Sequence, residues 1–300
     1  MSHLAVEPVS KIISTISNKG GVGKTLFSIE MANILGKMGK KVLLIDTDIN
    51  TGDIAVKLGI RSPKTLLDFF EKQVNELESL VRPEYHFNLI PGAGGNFKFA
   101  NINYAQKMRF IRAFKKIAQK YDYTILDLGA GIDRTTLDFA LIADYPIIIT
   151  TPEDIQSGYG CAKAAAERLI GLNGRLKVLD PDGNRVEEFA PYFVFNKSDK
   201  NIARGIYNGI RRAVEVTRSK YNIGIKPEYL GSVSMDYRLV KRTYVSQHKP
   251  ISEMYPNSDL GREYRQIAEH FINALYQPQP VKERRLNWLF RIFKDNEELN

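Results

Sequence analysis

Short apolar runs separated by amphipathic stretches recur along the 300-residue chain. The apolar runs lie at Lys11–Ile16, Val42–Ile45, Phe87–Ile90, Thr124–Leu128, Pro146–Thr150 and Tyr192–Phe195. They are short and lack alternation, so each reads as a strand buried on both faces. Helical periodicity covers Thr25–Lys37, Ile102–Lys120, Thr135–Ala143 and Gln156–Ile170 between them. Strands alternating with helices predict an α/β fold, a mostly parallel twisted sheet with helices on both faces. Right-handed crossovers in such a sheet put ligands at the C-terminal ends of the strands. The segment Gly171–Glu188, rich in Gly, Asp, Lys and Arg, reads as an exposed loop. The expected layout is an N-terminal segment (1–10), one α/β body (11–276), a linker (277–281) and a separate tail (282–300). The linker rests on Gln277-Pro278-Gln279-Pro280, a short stiff string.

Composition narrows the chemistry. With 43% hydrophobic and 26% charged residues the chain has the make-up of a folded protein. Its one cysteine, Cys161, excludes an intrachain disulfide and any zinc or iron–sulfur site built from several cysteines. The four histidines (His3, His86, His248 and His270) show no metal-ligand spacing. There is no run of about 18 apolar residues to cross a membrane, and no signal-peptide pattern, so a cytoplasmic protein is expected. The formal net charge of +9 points to an acidic partner, a lipid surface or a nucleic acid. Charge alone does not choose between them.

The first apolar run leads directly into Ser17-Asn18-Lys19-Gly20-Gly21-Val22-Gly23-Lys24-Thr25, and a helical pattern begins at once. Strand, glycine-rich turn and helix in that order make a phosphate-binding loop. Gly20, Gly21 and Gly23 let successive amides turn inward toward an anion, and the following helix adds the positive end of its dipole. Gly20 to Leu26 would line the nucleotide, with Lys24 reaching the β- and γ-phosphates and the Thr25 hydroxyl on Mg²⁺. The run Thr124–Leu128 carries a terminal acid, Asp127, followed by Gly129 and Gly131. An acid there holds Mg²⁺ through a water, and the glycines permit a loop that rearranges around the γ-phosphate.

The string Lys-Gly-Gly-Val-Gly-Lys-Thr at 19–25 resembles the deviant Walker A motif of the MinD/ParA family of P-loop ATPases. That resemblance runs from about Lys11 to Leu275 and implies ATP and Mg²⁺ as cofactors. It gives Lys19 the part of a lysine that reaches across a two-fold interface to the partner's nucleotide, and so implies an ATP-dependent homodimer. It makes the loop after Val42–Ile45 a switch in which Asp48 orients the attacking water and Asp46 sits near the metal. Asp127-Leu128-Gly129-Ala130-Gly131-Ile132 is similar to the second switch, most of all in members of the FlhG/FleN type that regulate flagellar number. Thr151-Pro152-Glu153 and Tyr229–Asp236 also follow the family. The second segment brings Asp236 toward base and ribose, with Ser234 where a proline is usual. Asn196 faces the base in the same picture. Asn196-Lys197-Ser198-Asp199 also fits the guanine-reading pattern Asn-Lys-x-Asp, so GTP stands as the alternative to ATP.

In the tail, Leu286, Leu289, Phe290 and Phe293 form one stripe at roughly 100° per residue, widened by Trp288 and Ile292. Arg284, Asn287, Arg291 and Lys294 take the other face. Such an amphipathic helix lies in a bilayer interface with its cations over anionic headgroups, each worth about 1 kcal/mol. One helix of this length binds weakly, and two brought together in a dimer bind by avidity. The leading expectation is therefore a membrane-cycling ATPase, FlhG-like or MinD-like. It would be peripheral on the inner face of the cell membrane, and a protein activator or client would stimulate slow hydrolysis. Met1–Ser10 lacks the Asp-Gln-Ala-x-x-Leu-Arg string with which some FlhG-type members activate a partner GTPase. A ParA-like partition ATPase binding DNA through Arg204, Arg211, Arg212, Arg218 and Lys220 is the second reading, and a GTP-driven targeting protein the third.

Overall fold

Each of the six apolar runs forms a strand in the computed structural model, which describes residues 10–48, 53–92, 102–176 and 188–276. The order begins β1 (Lys11–Ile16), α1 (Lys24–Lys37), β2 (Val42–Asp46), α2 (Asp53–Lys57) and α3 (Leu66–Phe70). It continues through β3 (Arg82–Glu84), β4 (Phe87–Ile90), α4 (Tyr104–Ala118), β5 (Tyr123–Asp127), α5 (Arg134–Ile142), β6 (Tyr145–Thr150) and α6 (Ile155–Leu176). It then runs β7 (Glu188–Phe189), β8 (Tyr192–Asn196), α7 (Lys200–Tyr221), β9 (Gly224–Ile225) and β10 (Glu228–Val233). It closes with α8 (Tyr237–Val240), a π-helical stretch (Lys241–Gln247), α9 (Ile251–Met254) and α10 (Asp259–Tyr276).

Eight strands make one sheet in the order β10-β8-β6-β1-β5-β2-β4-β3. All its pairings are parallel except β3 with β4. Side chains alternate across the sheet, so the two faces build separate cores. Ile12, Ile16, Leu43, Ile45, Leu126 and Phe193 pack with α3 to α7. Ile13, Leu44, Ile125, Ile147 and Val194 pack with α1, α9 and α10. In the first core Phe110 meets Phe70, Phe114 and Phe139 at ring-centroid distances of 5.7, 5.8 and 5.3 Å. Burying each such ring is worth about 1.5–3 kcal/mol, and together they hold α3, α4 and α5 to one face. β1 lies between β5 and β6. The chain leaves β1 toward β2 on one side and β5 toward β6 on the other, which opens a crevice at their C-terminal ends.

One boundary differs from expectation. Helix α6 runs on to Leu176, through the Gly171 and Gly174 that suggested a loop. A helical glycine costs only about 1 kcal/mol, which the well-buried first half of α6 offsets: Cys161, Ala162, Ala165 and Ala166 all lie in the core. Residues 177–187, the linker and the tail lie outside the described residues, as does the N-terminal segment up to residue 9. Among the described residues no helix is long and apolar enough to cross a membrane.

Candidate functional site

The loop between β1 and α1 bends because two of its glycines take left-handed backbone angles. Gly21 has φ 78° and Gly23 φ 93°, a region that costs other residues roughly 1–2 kcal/mol. Gly23 is the N-cap of α1 and supplies no side-chain cap, and the first turn of α1 has no acid. By contrast α4, α5 and α7 each begin on a side chain, Asn103, Asp133 and Asp199 respectively, that accepts backbone amides. The amides at the start of α1 are therefore left for an anion.

A cavity of about 380 Å³ opens over this loop, the size of a small-molecule site. Lys19 through Leu26 line one side. Asp48, Lys57 and Ala130 contribute from the switch side. Asn196, Lys197, Met235, Asp236 and Tyr237 line the opposite end. The predicted loop, Asp48, Asn196 and Asp236 are thus brought together, although more than 200 residues separate Lys19 from Asp236 in the chain.

Behind the loop, Lys24 Nζ lies 2.9 Å from Asp127 Oδ1 in a pair whose side chains are 7% and 0% exposed. Thr15 and Ser28 also reach that oxygen, at 3.0 and 2.9 Å. Asp127 Oδ2 is buried and has no hydrogen-bond partner among the described residues. A buried carboxylate oxygen without a partner among the described residues fits a hard cation. The described residues hold no group of three or more His, Cys, Asp or Glu that could cage a metal. The lone carboxylate oxygen suits Mg²⁺, which keeps waters and phosphate oxygens in its shell.

Asp46 sits beside Asp127 but turns its carboxylate to the backbone. It is fully buried and does not line the cavity. Its carboxylate accepts the amides of Asp48 at 3.0 Å and Ile54 at 3.3 Å. Burial, and then the charge of Asp127, push its pKa well above the ordinary value. Asp46 is the register partner of Asp127, so it is near the metal position, but its oxygens are spent on shaping the switch loop. Asp199 turns to the backbone as well. Its carboxylate caps α7 through the amides of Asn201 and Ile202 at 2.9 and 3.0 Å, and it is not among the cavity-lining residues. The guanine-reading alternative thereby loses its aspartate. Asp236 lines the cavity while its Oδ1 caps α8 through the Leu239 amide.

Three features were not legible beforehand. Asn196 Nδ2 donates to the Val22 carbonyl at 2.7 Å, and Lys197 Nζ to the Gly21 carbonyl at 3.0 Å. The end of β8 thus braces the phosphate loop as well as facing the cavity. The Gly131 amide, at φ 125°, donates to the Ser17 carbonyl at 2.9 Å and ties the loop after Asp127 to the start of the phosphate loop. Lys19, expected to face a partner subunit, pairs within its own chain with Asp154 at 2.7 Å while its side chain stays 61% exposed. An exposed pair of this kind is worth at most about 1 kcal/mol, so it leaves Lys19 able to reach elsewhere. The predicted membrane residues Leu286, Trp288, Leu289, Phe290, Ile292 and Phe293 lie outside the described residues.

The family model described as "AAA domain" matches residues 10–166. The flagellum site-determining protein YlxH of Helicobacter pylori is 27% identical over 270 residues, 89% of this chain and 83% of that protein. The septum site-determining protein MinD of Bacillus subtilis is 27% identical over 95% of this chain and 97% of its own length. Among solved structures, MinD of Pyrococcus horikoshii complexed with Mg-ADP superimposes with a TM-score of 0.59 at 20% identity, covering 91% of this chain and 100% of that one. A chain of the MinC:MinD cell division protein complex of Aquifex aeolicus does so with a TM-score of 0.60 at 22% identity, over 92% and 99%. At these identities the solved structures speak for the fold.

Proposed function

Because the chain belongs to the AAA-domain family whose model spans residues 10–166, we propose that it is a MinD-like ATPase that regulates the placement or number of a cellular structure, flagella or the division site. The observation that carries this reading is the single cavity in which Lys19–Leu26, Asp48, Asn196 and Asp236 converge. The sequence likeness to YlxH and MinD over nearly the whole chain supports the biological role.

In this reading ATP lies with its phosphates on the amides of Gly20 to Thr25, and Lys24 leaves Asp127 for the terminal phosphates. Thr25 would contribute its hydroxyl to hold Mg²⁺, and Asp127 would hold it through a water. When bound, the metal supplies positive charge where the leaving phosphates gather negative charge. Asp48 accepts a hydrogen bond from the attacking water and turns its lone pair toward the γ-phosphate. Asn196 and Asp236 face the base and ribose. Lys19 trades Asp154 for the nucleotide of a second copy, so that hydrolysis and dimer lifetime are linked. The tail residues Leu286 to Phe293 then enter anionic membrane as a pair, and a partner protein accelerates slow turnover and release.

The test uses the full chain. Turnover should favour ATP over GTP, and sedimentation with anionic vesicles should require ATP. Replacing Leu289 and Phe290 by Glu should abolish sedimentation and leave basal hydrolysis in place. A preference for GTP, or sedimentation indifferent to both nucleotide and tail, would overturn the proposal. Salt-sensitive retention on DNA in place of vesicles would favour the partition reading.

A further inference from the structure

Asp127 ends β5 with its two oxygens in unlike surroundings. Oδ1 is shared by Lys24 Nζ, Ser28 Oγ and Thr15 Oγ1 at 2.9, 2.9 and 3.0 Å. Oδ2 is buried and has no hydrogen-bond partner among the described residues. Thr15 comes from β1 and Ser28 from the second turn of α1, and their hydroxyl oxygens are 2.7 Å apart. Both residues are fully buried. The remaining contacts of the pair are carbonyls: Lys24 O lies 3.1 Å from Ser28 Oγ, and Leu126 O lies 3.4 Å from Thr15 Oγ1.

The two hydroxyls own two protons between them. If Thr15 donates to Ser28, Ser28 is left to donate to Asp127. If Ser28 donates to Thr15, Thr15 is left to donate to Asp127. In either arrangement one hydroxyl proton is available to Oδ1, and the contacts at 2.9 and 3.0 Å to that oxygen are shorter than those to the Lys24 and Leu126 carbonyls. Lys24 is the third donor, and it is the one that departs when phosphates enter the loop. A carboxylate held by a lysine alone would then be free to turn about its χ2 bond.

We propose that Thr15 and Ser28 are positioning residues for the metal: their coupled hydroxyls hold Asp127 Oδ1 after Lys24 has moved, so that Oδ2 is the oxygen offered to a magnesium-bound water. The inference rests on the ATP·Mg²⁺ reading of the site. It extends that reading to two residues outside the phosphate loop and outside the cavity lining. Outer-shell partners of metal ligands typically shift metal affinity about 10–100-fold, and these two stand in that relation to Asp127.

The experiment titrates MgCl₂ against binding of a fluorescent, slowly hydrolysed ATP analogue, with EDTA as the metal-free arm. In the Thr15→Val/Ser28→Ala chain, binding in EDTA should stay within about twofold of the parent. The magnesium needed for half-maximal effect should rise about tenfold or more. Each single substitution should shift it by less than about threefold, because the surviving hydroxyl already lies within donating distance of Oδ1. The pair of shifts should therefore combine far more than additively. If the double chain does not fold, Thr15→Val/Ser28→Cys keeps the volume with only a weak S–H donor and takes its place. A parent-like magnesium dependence in the doubly substituted chain overturns the inference. So does an equal loss of binding with and without magnesium, which would mark the pair as structural packing. A parent chain that binds nucleotide with no magnesium dependence overturns the site reading itself, and this inference with it.

Discussion

Substituting Gly23 by Ala tests how the phosphate loop is held. Gly23 sits at φ 93°, and a β-carbon built there would lie 2.0 Å from Asn196 Nδ2 and 3.2 Å from its Cγ. Two costs follow. Forcing alanine into the left-handed region costs roughly 1–2 kcal/mol. The Asn196 amide must also swing away, which breaks its 2.7 Å bond to the Val22 carbonyl, worth about 0.5–1.5 kcal/mol. The sum is about 1.5–3.5 kcal/mol, from those two ranges. Asn196→Ala alone should cost only the second part. In the Gly23→Ala/Asn196→Ala chain the clash is gone and the bond is already lost, so the total should stay near that of Gly23→Ala. The coupling between the sites should then be about 1 kcal/mol. Urea denaturation of the four chains in EDTA reads these values directly, and nucleotide binding measured alongside should weaken in every variant. A Gly23→Ala chain within about 0.5 kcal/mol of the parent, or strictly additive costs, would refute the account of Asn196 as a brace on the loop.

Lys19→Ala should leave monomer stability within about 1 kcal/mol, because its partner Asp154 is reached by an exposed side chain. The same variant should abolish ATP-dependent self-association, followed by light scattering. Gly36→Ala should be severe, near the upper end of the roughly 1–3 kcal/mol of overpacking, because its β-carbon would meet the His86 carbonyl oxygen at 1.9 Å and carbon at 2.7 Å. Both atoms are backbone, so α1 or the β3–β4 turn must shift, and a lowered thermal midpoint would register it. Burial raises the pKa of Glu30 above its ordinary 4.5, although Ser252, Tyr244 and the Ile251 amide hydrogen-bond to it. The folded chain therefore takes up a proton between pH 4.5 and the raised value, and stability falls as pH rises through that window. Glu30→Gln should remove that slope, measured by denaturation at stepped pH, and an unchanged slope would show that Glu30 does not titrate there.

The phosphate loop was legible because its chemistry is local. Left-handed glycines, an uncapped helix start and a Lys-Thr pair are properties of nine consecutive residues, Ser17–Thr25, and the apolar runs around them declare their own strands. Asp127 was legible for the same reason, as an acid closing a buried strand. The roles of Asp46 and Asp199 were not. Each is an acid at the right distance from a motif, and only the backbone around it decides whether its oxygens face a cavity or cap nearby amides. Residues joined across the chain gave no local signal either. Asn196 braces Val22 across 174 positions, and Glu30 receives the amide of Ser252 across 222. The string Asn196–Asp199 suggested a base reader, and packing gave Asn196 a second task as a brace, Lys197 one as a tether and Asp199 one as a helix cap.

Periodicity, glycine placement and motif spacing are encoded within a few residues, so the chain alone determined an α/β sheet, a phosphate loop at the end of its first strand and the acid that faces it. Which hydroxyls hold that acid, which of its oxygens lacks a partner among the described residues and what Lys19 touches depend on distances between segments far apart in the chain. Those distances come from how β1, α1, β5 and β8 pack into one body, and no short window of sequence contains them.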